Sequence, residues 1–319
     1  MDSKDIPSVI TYTCQESDQG RMISDILHNP LSLYAGTIRA LKNREGILLN
    51  GIPVRVGTRV RPKDKLTLNL NKGEVLPDIP GDDIPLEILY EDDSLLAVNK
   101  PAGMVVHPTV FHQQGTLANA LVHYWKQKKI QAGLHFISRL DVGTSGIILV
   151  ARNGFVQEHL RRQAEKGIFR KIYHGYVRND KAEDLRKPGF EGTINLPIAR
   201  KEGSIMEREV SEDGAYAITH YRVLKVSESL PVSLLQFQLE TGRTHQIRVH
   251  CKYSNFPLVG DTLYGTLKAP EEILPELPQT IDHQALHARE VSFEHPISGE
   301  IIHLTAPYPQ EWAILDSFV

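Results

Sequence analysis

The sequence reads as two units, a small one over residues 15–75 and a larger one over residues 86–319, whose mixture of strand and helix segments agrees with an α+β fold, the smaller unit an α/β module. Short β-branched and aromatic runs bounded by turn residues outnumber the segments with helical periodicity. Residues 76–85 carry Pro77, Pro80, Gly81 and Pro85 among aspartates, the composition of a linker. A length of 319 residues is also more than one compact core usually needs.

Hydrophobic residues make up 41% and charged residues 24%, as in an ordinary soluble protein. No apolar stretch approaches a membrane span, and the polar start Met1-Asp2-Ser3-Lys4-Asp5 is no signal peptide. A cytoplasmic monomer without a membrane partner is therefore expected. Cys14 and Cys251 lack any paired spacing, which points away from a disulfide framework and from zinc. A formal net charge of −3 disfavours a whole-surface nucleic-acid binder but leaves room for local basic patches.

Taken in order, residues 1 to about 18 are polar and patternless and are expected as an extended lead-in. Ile23, Ile26, Leu27, Leu31, Leu33, Ile38 and Leu41 fit two short helices broken at Asn29-Pro30. Gly46 to Val54 reads as strand, Asn-Gly turn and strand, and Leu66 to Leu70 as a further strand after the basic residues Arg55, Arg59, Arg61, Lys63 and Lys65. Those charges suit either RNA or a solvated face. Leu86–Leu89 and Leu95–Val98 predict two strands joined by an acidic turn. Asn99 to Pro108 then forms a proline-and-glycine loop in which His107 either faces RNA or, the favoured reading, is hydrogen-bonded. Leu117, Ala120, Leu121 and Tyr124 place an amphipathic helix at Gly115–Lys126.

The centre of the chain is Ile137–Arg152. A polar loop there holds Arg139 and Asp141 two positions apart, ahead of the apolar run Ile147–Ala151, a buried strand. A loop anchored on such a strand holds side chains in fixed geometry yet open to a ligand. Alone, the pair reads equally as a surface Arg–Asp contact. Val156, Leu160 and Ala164 mark a helix with Arg161, Arg162 and Lys166 outward and Gly167 at its end. Ile168–Arg178 is a strand with Lys171 and Tyr173 on one face. Asn179–Gly192 is expected as an exposed loop, Thr193–Arg200 as a variable excursion, and Lys201–Asp213 as solvent-facing. Ile218–Val223 and Val232–Glu240 are strands leading to Gly242, which opens a helix with a polar, basic start suited to anions. His245 and His250 do not share a helical face and no carboxylate accompanies them, so no metal is expected. Leu286–Ala288 and Ile301–Leu304 close the strand list.

Arg139-Leu140-Asp141, followed by Thr144-Ser145-Gly146, resembles the signature loop of the RluA-type RNA pseudouridine synthases. Asn99-Lys100-Pro101-Ala102-Gly103, Lys171-Ile172-Tyr173, Thr241 to His250 and Pro257 to Gly265 resemble further segments of that family, so the likeness spans most of the chain. The family usually has His where this chain has Ser138, whose hydroxyl is expected to fix the loop by hydrogen bonding. The helix–helix–hairpin layout of residues 15–75 resembles the S4-like RNA-binding module that often precedes the catalytic domain. The resemblance implies a mixed, largely antiparallel catalytic sheet. It assigns Asp141 as the reacting carboxylate, as nucleophile or as base on the sugar, with Arg248 as its basic partner and Tyr173 stacked on the uracil. Arg139, beside Asp141, suits the space a flipped base vacates, and Arg243, His245 and Gln246 are candidates for contacting RNA. Breaking an N–C bond, turning the base and forming a C–C bond oxidises nothing, so neither metal nor cofactor is expected. The implied substrate is structured RNA, ribosomal RNA first and transfer RNA as alternative. A non-catalytic RNA-binding or assembly factor, or a hydrolase using Asp141, are the rival readings. Glycosidases usually need paired carboxylates, which weakens the second.

Overall fold

The computed structural model describes residues 6–265 and 281–317. Near the N-terminus, β1 (Val9–Thr13), β2 (Ile47–Leu49), β3 (Ile52–Pro53) and β4 (Lys65–Asn69) form a four-stranded sheet in the order β1-β4-β2-β3. The lead-in expected over residues 1–18 is thus corrected at Val9–Thr13, while residues 1–5 lie outside the described residues. Val9-Ile10-Thr11-Tyr12-Thr13 is β-branched and aromatic, and it pairs antiparallel to β4 with Val9 opposite Asn69. Helices α1 (Ile23–His28) and α2 (Ala35–Asn43) fall on either side of Asn29-Pro30 and bury Ile23, Ile26, Leu27, Ile38 and Leu41 against Leu66 and Leu68.

That apolar cluster continues without a break to Leu95, Leu149, Val156 and Phe293. The Pro- and Asp-rich stretch between the sheets, and Glu74 just before it, are bonded to their surroundings. Glu74 pairs with Arg44 and, at 3.3 Å, with His135, while Asp82 Oδ2 accepts from the Gly115 N–H at 2.7 Å. Each buried Leu, Ile or Val contributes about 1.5–3 kcal/mol, so the two sheets share their stabilisation.

The remaining strands are β5 (Glu87–Glu91), β6 (Leu95–Lys100), β7 (His135–Phe136), β8 (Ser145–Ala151), β9 (Arg170–Arg178), β10 (Glu191–Asn195), β11 (Ile198–Arg200), β12 (Arg208–Val210), β13 (Ile218–Val226), β14 (Val232–Leu239), β15 (Leu286–Glu294) and β16 (Ile301–Thr305). Ten of them make one sheet along β10-β13-β14-β9-β15-β8-β6-β5, with β16 on β15 and β7 on β8, while β11 and β12 form a separate hairpin. The β8–β15 pairing is parallel and the other pairings in this sheet are antiparallel, giving the mixed, largely antiparallel sheet the resemblance implied. The excursion expected at Thr193–Arg200 is instead an edge strand and the start of the hairpin. Ile194, 6% exposed, is the single apolar anchor of β10, too little for a periodicity signal.

Helices α3 (Leu117–Gln127) and α4 (Gly154–Glu165) begin on side-chain caps, with Thr116 accepting from the Asn119 N–H and Asn153 from the Val156 N–H. Helix α4 ends before Gly167, whose φ of +70° is the left-handed turn expected there. Helix α5 (Gln246–Tyr253) follows β14, and α6 (Ala313–Asp316) lies near the C-terminus.

A row across three strands positions the site. Tyr173 on β9 faces Ala288 on β15, and Ala288 faces Gly146 on β8. Gly146 sits at φ +105°, and a Cβ there would lie 2.3 Å from the Ala288 carbonyl oxygen. Only glycine lets β8 approach β15 so closely directly after the Asp141 loop.

Candidate active site

The loop carrying Asp141 is pinned from both sides. Its own turn closes through the Thr144 N–H to the Asp141 carbonyl at 3.0 Å, and Gln284 donates to Thr144 Oγ1 at 3.0 Å. From the other side the Gly103 N–H reaches the Val142 carbonyl at 2.9 Å. Lys100, fully buried, donates to the carbonyls of Pro101, Met104 and Val142 at 2.8, 3.0 and 3.0 Å. Burial pulls its ammonium down to about 7, against the charge of Asp141. Three acceptors match its three N–H groups and tie the Asn99–Pro108 loop to the residue after Asp141. His107 makes no side-chain hydrogen bond to a described residue, contrary to expectation, and its ring meets Phe136 edge-on at 4.4 Å.

Asp141 lines a cleft of about 750 Å³ together with Arg139, Lys171, Tyr173, Arg208 and Arg248. Its Oδ2 receives Arg248 Nη1 at 3.3 Å, and His245 Nε2 stands 3.9 Å from the same oxygen. Oδ1 has no hydrogen-bond partner among the described residues. Arg248 is held in turn by Asp261, Nε to Oδ2 at 2.7 Å and Nη2 to Oδ1 at 2.8 Å, a bidentate pair. Burial opposes the charge of Arg248, but the Asp261 bonds and the charges of Asp261 and Asp141 outweigh it and raise its pKa. Asp261 Oδ1 also accepts the N–H groups of Leu263 and Tyr264, each at 3.0 Å. The preceding Gly260, at φ +72°, lets this segment lie where a Cβ would be 2.2 Å from the His283 carbonyl oxygen.

Tyr173 is 8% exposed, and burial followed by the charge of Asp141 pushes its phenol upward, so it stays protonated. Lys171, on the same face of β9, has no ion pair among the described residues and is pushed down to about 8 by burial. Arg139 is exposed and makes no hydrogen bond or ion pair with a described residue. Arg243 is exposed and donates to the Tyr216 carbonyl at 3.0 Å.

Gln246 corrects an expectation. It is 2% exposed, accepts from Thr241 Oγ1 and the Arg243 N–H, and donates to the Ile218 carbonyl and Thr219 Oγ1. Its amide is used between the turn and β13 and has nothing left for RNA. His245 lies before the helix, in left-handed backbone at φ 58° and ψ 21°, a conformation costing roughly 1–2 kcal/mol outside glycine. Its Nδ1 meets Tyr264 Oη at 2.9 Å, and burial holds its pKa below the ordinary histidine value. His250 is structural, bonded to Thr219 Oγ1 at 2.8 Å and the Leu196 carbonyl at 2.9 Å. Ser138 Oγ is buried without a partner among the described residues, so the loop is not fixed through it as expected. Lys100, Asp261 and Tyr264 escaped the sequence reading as site residues, although the segments that contain them were singled out.

A family model described as RNA pseudouridylate synthase matches residues 94–253. The Bacillus subtilis protein named uncharacterized RNA pseudouridine synthase YlyB is 38% identical over 316 residues, 96% of either chain. The Xylella fastidiosa protein named ribosomal large subunit pseudouridine synthase D is 37% identical over 273 residues, covering 83% of this chain and 78% of that one. Among solved structures, human RNA pseudouridylate synthase domain containing 1 aligns with a TM-score of 0.54 at 26% identity, over 72% of this chain and 86% of that one.

Proposed function

Because the chain belongs to the RNA pseudouridylate synthase family, in its RluA-type branch, and is an isomerase acting on RNA, we propose that it converts uridines of large-subunit ribosomal RNA to pseudouridine through Asp141. The observation that carries the residue assignment is the one-sided hold on Asp141, with Oδ2 against Arg248 and Oδ1 unbonded among the described residues, in the cleft beside Tyr173. The guanidinium pairs with the carboxylate through Oδ2, and the free oxygen meets the ribose, as nucleophile or as base.

In the reaction the C1′–N1 bond breaks, the uracil turns, and a C1′–C5 bond forms. The proton lost from C5 is balanced by one gained at N1, so no oxidant, cofactor or metal is called for. Tyr173 stacks on the uracil and, as a protonated phenol, serves as a hydrogen-bond donor. Arg139 fills the space left by the flipped base, whose unstacking costs a few kcal/mol, and Arg243 meets phosphate at the rim. Residues 15–75 act as an S4-like RNA-binding module through Arg55, Arg59, Arg61, Lys63 and Lys65, residues 76–85 link it to the catalytic domain over 86–319, and the enzyme works as a cytoplasmic monomer. Large-subunit relatives such as that of Xylella fastidiosa support the ribosomal substrate.

The test is incubation of the purified protein with large-subunit ribosomal RNA and transfer RNA transcripts, followed by pseudouridine mapping and mass measurement. Pseudouridine in the ribosomal transcript at unchanged RNA mass is expected. Modification confined to transfer RNA overturns the substrate assignment, and release of free uracil overturns the reaction.

A further inference from the structure

His245 occupies left-handed backbone, which favours glycine and, among the others, Asn, Asp and His, at a helix start where Ser, Thr, Asp or Asn is the usual cap. The backbone tolerates an imidazole there and the cap does not use it, but its two neighbours do. Tyr264, 1% exposed, receives the Arg208 backbone N–H on its hydroxyl oxygen at 2.7 Å. That N–H can only donate, so the single phenol proton is left for His245 Nδ1, its one described acceptor, at 2.9 Å. With Nδ1 accepting, the imidazole proton resides on Nε2, the nitrogen 3.9 Å from Asp141 Oδ2. Arg248 approaches the same oxygen at 3.3 Å.

We propose that His245 is a positioning residue for the reacting carboxylate: its tautomer, set by Tyr264, points Nε2–H at Oδ2 of Asp141 across 3.9 Å, beyond hydrogen-bond length, so that its dipole adds to the Arg248 bond on that oxygen and leaves Oδ1 to react. This rests on the reading of Asp141 as the reacting group. The charged groups facing His245 are Asp141 from the loop before β8, Arg248 from α5, Arg208 from β12 and Asp261 from the segment before Tyr264. Tyr264 also ties the β11–β12 hairpin to the carboxylate, through the Arg208 N–H and the imidazole.

His245→Gly relieves the backbone and His245→Asn tolerates it, so neither is expected to unfold the protein, and thermal melts verify this. Single-turnover rates and RNA affinities are measured for both, for Tyr264→Phe and for Asp141→Asn. Both His245 variants are expected to lose at least thirtyfold in the rate of the chemical step with RNA affinity within threefold of the parent. In Tyr264→Phe the Nδ1 is freed to take a second proton, and an imidazolium against Asp141 would tie up the carboxylate. The acid limb of its pH–rate profile is therefore expected to move upward by at least half a unit. A purely structural role would lower the rate equally at every pH. An inactive Asp141→Asn beside a His245→Gly of parental rate overturns the positioning role and leaves the assignment of Asp141 standing. A weakened affinity with an unchanged rate makes His245 an RNA contact and overturns the proposal too. Parental activity in Asp141→Asn overturns the assignment of Asp141 itself.

Discussion

Asp261→Asn changes one atom in the brace behind Arg248, and its effect can be worked through bond by bond. Oδ1 carries the Leu263 and Tyr264 N–H groups and Arg248 Nη2, so an amide oxygen placed there keeps all three bonds. The amide nitrogen then falls at Oδ2, where it faces Arg248 Nε, a donor, at 2.7 Å. Rotating the amide instead sacrifices the turn. Either way a charge is lost beside a guanidinium whose side chain is only 8% exposed. Removing one partner of a buried pair costs about 3–5 kcal/mol, and the retained bonds put this variant near the lower end, about 3 kcal/mol. At about 2–4 °C per kcal/mol for a domain of 150–250 residues, the melting temperature should fall by roughly 6–12 °C. Arg248 loses its fixed orientation, so the single-turnover rate should drop at least tenfold while RNA affinity stays within threefold. Differential scanning calorimetry and single-turnover kinetics read the two effects. A variant melting within 2 °C of the parent would show that Asp261 does not brace Arg248.

Arg139→Ala should slow modification of a paired target uridine far more than of an unpaired one, and equal impairment on both would remove Arg139 from base flipping. Replacing Arg55, Arg59, Arg61, Lys63 and Lys65 by Gln should flatten the salt dependence of RNA binding by about 0.7–0.9 in log–log slope for each phosphate these side chains neutralise; an unchanged slope means these residues do not hold RNA. Burial pushes His174 and His287 down to about 4 each, while an unfolded histidine titrates near 6.5. The unfolded chain therefore binds the extra protons between those values. The stability from keeping these rings neutral is fully present above about pH 6.5 and is lost as pH falls toward 4, by about 2 kcal/mol per ring at pH 5. Urea midpoints at pH 7 and 5 should differ accordingly, and less so in His287→Gln.

The elements legible in the sequence were those with a single dominant period. The strand at Ile147–Ala151, the helix carrying Leu117 and Leu121, and the turn at Gly167 all stand where local pattern placed them. Val9–Thr13 was legible in composition but too short to stand out from polar neighbours, and its strand identity comes from pairing with β4, more than fifty residues away. The site divides along the same line. Arg139, Asp141, Tyr173 and Arg248 could be named because each lies in a recurring segment. The Arg248–Asp261 pair could not, because thirteen residues and a turn separate its members and only the folded chain brings them together. Gln246 shows the reverse error: a polar side chain beside basic residues looks like a ligand contact, and whether its amide is already satisfied depends on Ile218 and Thr219, invisible at that position.

The most direct test of Asp141 as the reacting group is a single-turnover assay of Asp141→Asn on a large-subunit RNA fragment that the parent modifies, with binding measured alongside. The variant keeps the shape of the side chain and loses one charge. Pseudouridine formation should disappear while RNA affinity stays within about tenfold. A variant that still modifies the fragment within tenfold of the parental rate would contradict the account, because the carboxylate that Arg248 holds would then not be the group that reacts.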